Sequence, residues 1–202
     1  MRLNFRTTVA GTVALSLLGV VIAPAFAATV RGTPSGDRLV GTPRADTLIA
    51  AGGADRVFAL DGRDEIRAGG GGDYVEGGRG NDTVWADVIS DRGRSSDGDD
   101  RVFTGPGNDR VELSGGTNFA DLGRGDDVIH FDQPYAHDVV NLGPGDDRSK
   151  LGLGRKLIFG GTGDDRLEQL RGRSEAHGGP GADVLYGGET RDWLYGGEGA
   201  AS

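Results

Sequence analysis

Apolar residues recur along this chain every nine residues. Leu39, Leu48, Val57, Ile66, Val75 and Val84 begin the series, and Val102, Val111, Ala120 and Ile129 continue it. After a two-residue insertion it resumes with Val140, Ile158, Leu167, Ala176, Leu185 and Leu194, while Gly93 and Ser149 interrupt it. Each is flanked by residues that would point to the opposite face, so the pattern predicts strands of about three residues with one inward side chain. Between these strands lie Gly-rich turns. Glycine tolerates positive φ and leaves backbone carbonyls free to approach one another, which suits a tight turn.

The same period governs a carboxylate. Two residues before each apolar position stand Asp37, Asp46, Asp55, Asp64, Asp73, Asp82, Asp91, Asp100, Asp109, Asn118 and Asp127, then Asp138, Asp147, Lys156, Asp165, Ser174, Asp183 and Asp192. Fifteen of these 18 positions are Asp, where random placement would give about two or three. The residue two before each is Gly except at Ser35, Arg44, Ile89, Ala136 and Thr190. Gly77 to Trp85, read G-G-R-G-N-D-T-V-W, shows the unit in full.

This unit resembles the G-G-x-G-x-D-x-U-x nonapeptide of the repeats-in-toxin (RTX), or haemolysin-type calcium-binding, family, in which U is a large apolar residue. The resemblance implies an all-β fold, a right-handed parallel β-roll of about nine 18-residue coils. It also implies Ca2+ ions held between turns 18 residues apart on one edge, by the Asp carboxylates and the carbonyls of the turn. A hard cation that takes six to eight oxygens suits such donors. The metal ligands implied are Asp37, Asp46, Asp55, Asp64, Asp73, Asp82, Asp91, Asp100, Asp109, Asp127, Asp138, Asp147, Asp165, Asp183 and Asp192.

Counting in steps of 18 expects one unbroken edge, Asp37, Asp55, Asp73, Asp91, Asp109, Asp127, Asp147, Asp165 and Asp183. The other, Asp46, Asp64, Asp82, Asp100, Asn118, Asp138, Lys156, Ser174 and Asp192, degrades after Asp100, where Lys156 sets an ammonium in an ion's place. This partition takes the insertion as a bulge that does not exchange edges. The best sites are expected at Asp73, Asp82, Asp109, Asp127, Asp147, Asp165 and Asp183; those at Asp46 and Asp91 lack the preceding Gly, and residues 86 to 99 read as an irregular coil. A metal-free solenoid would also place Asp in turns, but it does not explain the choice of one turn slot.

Residues 1 to 27 stand apart. Arg2 and Arg6 precede an apolar run from Val9 to Ile22 and then Ala25-Phe26-Ala27, the pattern of a secretory signal peptide too short in its apolar run to span a bilayer. Cleavage after Ala27 would leave a single repeat domain, residues 28 to 202, secreted to the extracellular space. That domain has 20 basic and 31 acidic residues, a charge of -11, which excludes nucleic acid and anionic membrane surfaces as partners and attracts cations. No Cys is present, so disulfides do not staple it. With 39 Gly and about one core side chain per nonapeptide, the fold needs energy from metal bound only when folded.

Other residues invite different roles. Arg38, Arg56, Arg92, Arg110, Arg148 and Arg166 follow the Asp of alternate repeats and read as one outward strip, either a contact for an acidic polysaccharide or cell-surface polymer or charge balance for the Asp edge. Phe119, Val139 and Leu157 form an outward apolar patch. Tyr186, Trp193 and Tyr195 read as a C-terminal cap, and His130, His137 and His177 as surface singletons. Ends without a polar cap favour end-to-end self-association. No H-E-x-x-H or G-x-S-x-G occurs, and paired carboxylates such as Asp126 and Asp127 recur at the turn, so no enzyme activity is expected. A calcium-dependent adhesion or matrix role is the alternative to plain calcium binding.

Overall fold

In the computed structural model, which describes residues 12–13, 20–22, 27–87, 98–131, 136–151, 154–169 and 172–199, the chain winds into a parallel β-roll. Successive strands alternate between two sheets of ten strands each, and every described strand pairing is parallel. Most partners lie 18 residues apart, as in Leu39 with Val57 and Leu48 with Ile66. No helix occurs among the described residues. Thr12–Val13 and Val20–Ile22 add a short strand to the first end of each sheet; the remainder of the expected signal segment, except Ala27, lies outside the described residues.

The apolar series forms the core. Val30, Leu39, Leu48, Val57, Ile66, Val75, Val84, Val102, Val111, Ile129, Val140, Ile158 and Leu167 are fully buried. A second inward row sits two residues further on: Ala50, Ala59, Ala68, Ala86, Leu113, Leu122 and Leu142, with Phe131. The core therefore holds up to two side chains per nonapeptide, more than the single one expected from the sequence. Strand alternation continues past the apolar residue into the first turn position, so that residue also faces inward.

Two irregularities set the register. The insertion after Asp127 is absorbed within one coil, and Asp127 and Asn118 each meet a partner 20 residues on. Earlier, Tyr74–Arg79 pairs with Arg101–Phe103 and Thr83–Trp85 with Arg110–Leu113, each 27 residues on. A whole nonapeptide between residues 87 and 98 is left out of the ladder. Nine is half a coil, so the edges exchange there.

The expected edge partition is thereby corrected. One edge runs Asp37, Asp55, Asp73, Asp100, Asn118, Asp138, Lys156, Ser174 and Asp192, and the unbroken one runs Asp46, Asp64, Asp82, Asp109, Asp127, Asp147, Asp165 and Asp183. The Arg strip divides with it. Arg38, Arg56 and Arg101 lie on one sheet, and Arg110, Arg148 and Arg166 on the other. Nor do the C-terminal aromatics close the roll: Tyr186, Trp193 and Tyr195 are exposed on the outer faces, and Leu194 in the last core position is 41% exposed.

Candidate metal centre

Each edge is a ladder of carboxylates. The backbone N–H of one Asp donates to Oδ1 of the Asp in the next coil, at 2.7 Å from Asp37 to Asp55, 2.8 Å from Asp55 to Asp73 and 2.7 Å from Asp109 to Asp127. This turns every carboxylate inward beneath its turn. Asp46, Asp55, Asp64, Asp73, Asp82, Asp100, Asp109, Asp127, Asp138, Asp147, Asp165 and Asp183 are all at most 3% exposed. Asp91 lies outside the described residues.

The second oxygen divides them into three kinds. In Asp55, Asp64, Asp73, Asp82, Asp100, Asp109, Asp127, Asp147, Asp165 and Asp183, Oδ2 is buried without a hydrogen-bond partner. In Asp37, Asp46 and Asp192 it accepts the backbone N–H of Thr33, Thr42 and Gly188. In Asp138 it accepts from the Lys156 ammonium, both side chains being fully buried.

The residue four before each Asp makes this choice. Where it has positive φ, as at Gly78 (φ 110°), its N–H turns away and donates to the Thr104 carbonyl of the next coil, leaving Asp82 Oδ2 open. Gly is favoured there because a Cβ on Gly78 would strike the Leu60 carbonyl below. Ala51 (φ 90°) and Leu60 (φ 86°) hold the same conformation ahead of Asp55 and Asp64, the two non-Gly residues with positive φ among those described. That strain sits where an open carboxylate is kept.

An unpartnered buried carboxylate is costly, because burial without a hydrogen bond or countercharge penalises the ionised form. Desolvation pushes Asp64, Asp73 and Asp165 up to about 7, and Asp100 and Asp127 up to about 8, opposed by the backbone N–H bonds and reinforced by neighbouring carboxylates. Asp55, Asp109 and Asp147 rise to about 6 for the same leading reason. A cation in the turn removes that penalty. Oxygens from adjacent coils converge for one: a methyl group placed on Gly77 would lie 2.6 Å from Asp82 Oδ2 and 2.8 Å from the Thr104 carbonyl oxygen. No cluster of three acidic or His side chains occurs among the described residues. A cation here therefore relies on backbone carbonyls beside one or two carboxylates, all-oxygen donors of the hard type that calcium accepts.

Elsewhere side chains stand in the cation's place. Asn118 accepts the Asp100 N–H on Oδ1 and donates Nδ2 to the Ser114 and Gly115 carbonyls at 3.2 and 3.0 Å. Lys156 pairs with Asp138 and lies 4.8 Å from the Phe131 ring centroid. Burial pushes Asp138 up and Lys156 down, and their mutual attraction opposes both shifts. The neighbouring carboxylates Asp126, Asp146 and Asp164 face outward and accept N–H bonds from Asp146, Asp164 and Ala182 in the following coils. The acidic pairs thus split into a buried and an exposed ladder.

Fold and site together define a β-roll with open carboxylate oxygens stacked along its turns. The RTX calcium-binding nonapeptide repeat matches in four copies, at residues 31–66, 49–84, 94–129 and 175–200. Those matches cover more than half of the chain, which belongs to that family. No curated protein matches it significantly.

Proposed function

We propose that this chain is a secreted calcium-binding protein whose folding is coupled to extracellular calcium, and that it carries no catalytic activity. The observation that supports this most is the row of ten buried Oδ2 atoms without a partner. Seven belong to the unbroken edge, from Asp64 to Asp183, and three to the other, Asp55, Asp73 and Asp100. Of the wider set expected from the sequence, these ten are the ligands proposed, with turn carbonyls completing each shell. Calcium bound only by the folded roll stabilises it by linkage. In a calcium-poor cytosol the chain would stay unfolded for export through a cleaved signal segment, residues 1 to 27, and fold outside.

Circular dichroism of the exported protein during calcium titration tests this, with magnesium as control. A cooperative gain of β-structure with calcium alone supports the reading. A spectrum already β-rich in chelator and indifferent to calcium would refute it.

One observation favours an adhesion or matrix role for the folded rod. Phe58, Tyr74, Phe103 and Phe119 run across one sheet's outer face with ring centroids 5.6 to 6.0 Å apart, beside Val139 and the exposed Arg56 and Arg101. Calcium-dependent binding to cell envelopes or an acidic polysaccharide, lost on Tyr74→Ser with Phe103→Ser, would favour that role over plain calcium binding.

A further inference from the structure

The first coil differs from those that follow in a way that ties it to processing. Ala28 occupies the place that Asp holds in every later coil of the unbroken edge, 18 residues before Asp46. Its N–H donates to Asp46 Oδ1 at 2.6 Å, and its carbonyl accepts the Thr47 N–H at 2.8 Å, as an Asp backbone does further along. The contact is buried, with Ala28 6% and Asp46 3% exposed.

The remaining oxygen capacity of this end is filled from within. Thr42 donates its N–H to Asp46 Oδ2 and its hydroxyl to Asp46 Oδ1. On the other edge Thr33 gives both its N–H and its hydroxyl to Asp37 Oδ2, at 2.5 and 2.8 Å. Both threonines precede a proline, Pro34 and Pro43, and neither has the positive φ that opens the later turns. Neither Asp37 nor Asp46 has an unpartnered buried oxygen, in contrast to Asp55 and Asp64 in the next coil.

We propose that cleavage after Ala27 completes a metal-free cap on this end of the roll. The scission turns the Ala28 amide nitrogen into an ammonium already seated against Asp46, so one hydrogen bond becomes a charge-assisted one. The positive charge stands at the head of the carboxylate ladder, where the later coils call for a cation. Cleavage also removes the strands that Thr12–Val13 and Val20–Ile22 add to this end. The ammonium and the two threonines then secure a terminus that would otherwise fray. This inference rests on the signal-segment reading above.

The test compares the exported protein with a form whose precursor carries one extra Ala between Ala27 and Ala28, so that the terminal charge is displaced by one residue. Each is made with Asp46 and with Asp46→Asn. N-terminal sequencing fixes the first residue, and melting is followed in saturating calcium. The expected result is a start at Ala28, a melting point about 3 °C lower for the extended form, and no such difference once Asp46 is Asn. The bound-calcium count should be the same in Asp46→Asn as in the parent. A first residue other than Ala28 would refute the processing. An Ala28 start with equal melting of the two forms, or a difference that persists in Asp46→Asn, would refute the cap while leaving export intact. Loss of an ion in Asp46→Asn would refute its metal-free character.

Discussion

The two edges of this roll share turns, spacing and backbone ladder, yet they neutralise their carboxylates differently. From Asp64 to Asp183 the unbroken edge leaves seven Oδ2 atoms buried and open. The other is open at Asp55, Asp73 and Asp100 and then becomes self-contained: Asn118 bonds the turn carbonyls, Lys156 pairs with Asp138, and Gly188 closes Asp192. One scaffold thus accepts either a diffusible cation or a covalently attached donor at the same position. The half-edge that supplies its own donors needs no metal, and the unbroken edge depends on it.

The largest effect should come from breaking the self-contained half. Asp138→Asn leaves the Lys156 ammonium buried without its counterion, a change expected to cost about 3–5 kcal/mol. Denaturant unfolding in saturating calcium would measure this, and the number of ions bound should not change. Asp127→Asn in the unbroken edge should behave in the opposite way. It removes at least one ion, and the loss at saturation is about 2.7 kcal/mol if calcium is held a hundredfold above the dissociation constant of that site. Calorimetric titration would show the lower stoichiometry.

A pH series separates the same two halves by sign. Asp64, Asp73, Asp100, Asp127 and Asp165 have folded-state pKa values raised to about 7 or 8 by burial, above the ordinary carboxylate value of about 4. The metal-free fold therefore binds extra protons. It is most favoured below about pH 4 and loses that stabilisation as pH rises through 7 to 8. In chelator, β-structure by circular dichroism should increase on acidification over this range. With calcium the sign reverses, because protons compete for the same oxygens, and the calcium midpoint should rise as pH falls. The smallest effect concerns Leu60, half-exposed and held at positive φ. Leu60→Gly should stabilise the calcium-loaded roll by about 0.5 kcal/mol, the relief of left-handed strain outweighing the entropy of Gly, readable as a small rise in melting temperature.

Much of this architecture is legible in the amino-acid sequence. The nine-residue period marks the strands, and the Asp slot marks the buried ladder from Asp37 to Asp192. Which Asp shares an edge with which is not legible. Strict counting by 18 carries Asp73 to Asp91, whereas the chain leaves out a nonapeptide and joins Asp73 to Asp100. Gly93 in the apolar position and Ile89 before Asp91 mark that unit as weak, but omission and distortion leave the same trace in a sequence. The second core row is visible as the alternation Val111-x-Leu113 and Ala120-x-Leu122, obscured by Gly at the same position in other repeats. Whether a carboxylate is open or closed depends on the residue four before it. Thr-Pro at 33–34 and 42–43 is the signal there, and it becomes readable only once the φ-dependent direction of that N–H is known.

The most direct test of the account is the position of the ions themselves. Crystals of the exported protein grown in calcium, with the ions located by anomalous scattering, should show a row along the unbroken edge from Asp64 to Asp183. A shorter row should accompany Asp55, Asp73 and Asp100, with none beside Asn118 or Lys156. Ions along the Asn118 to Ser174 stretch, or none between Asp109 and Asp183, would contradict it.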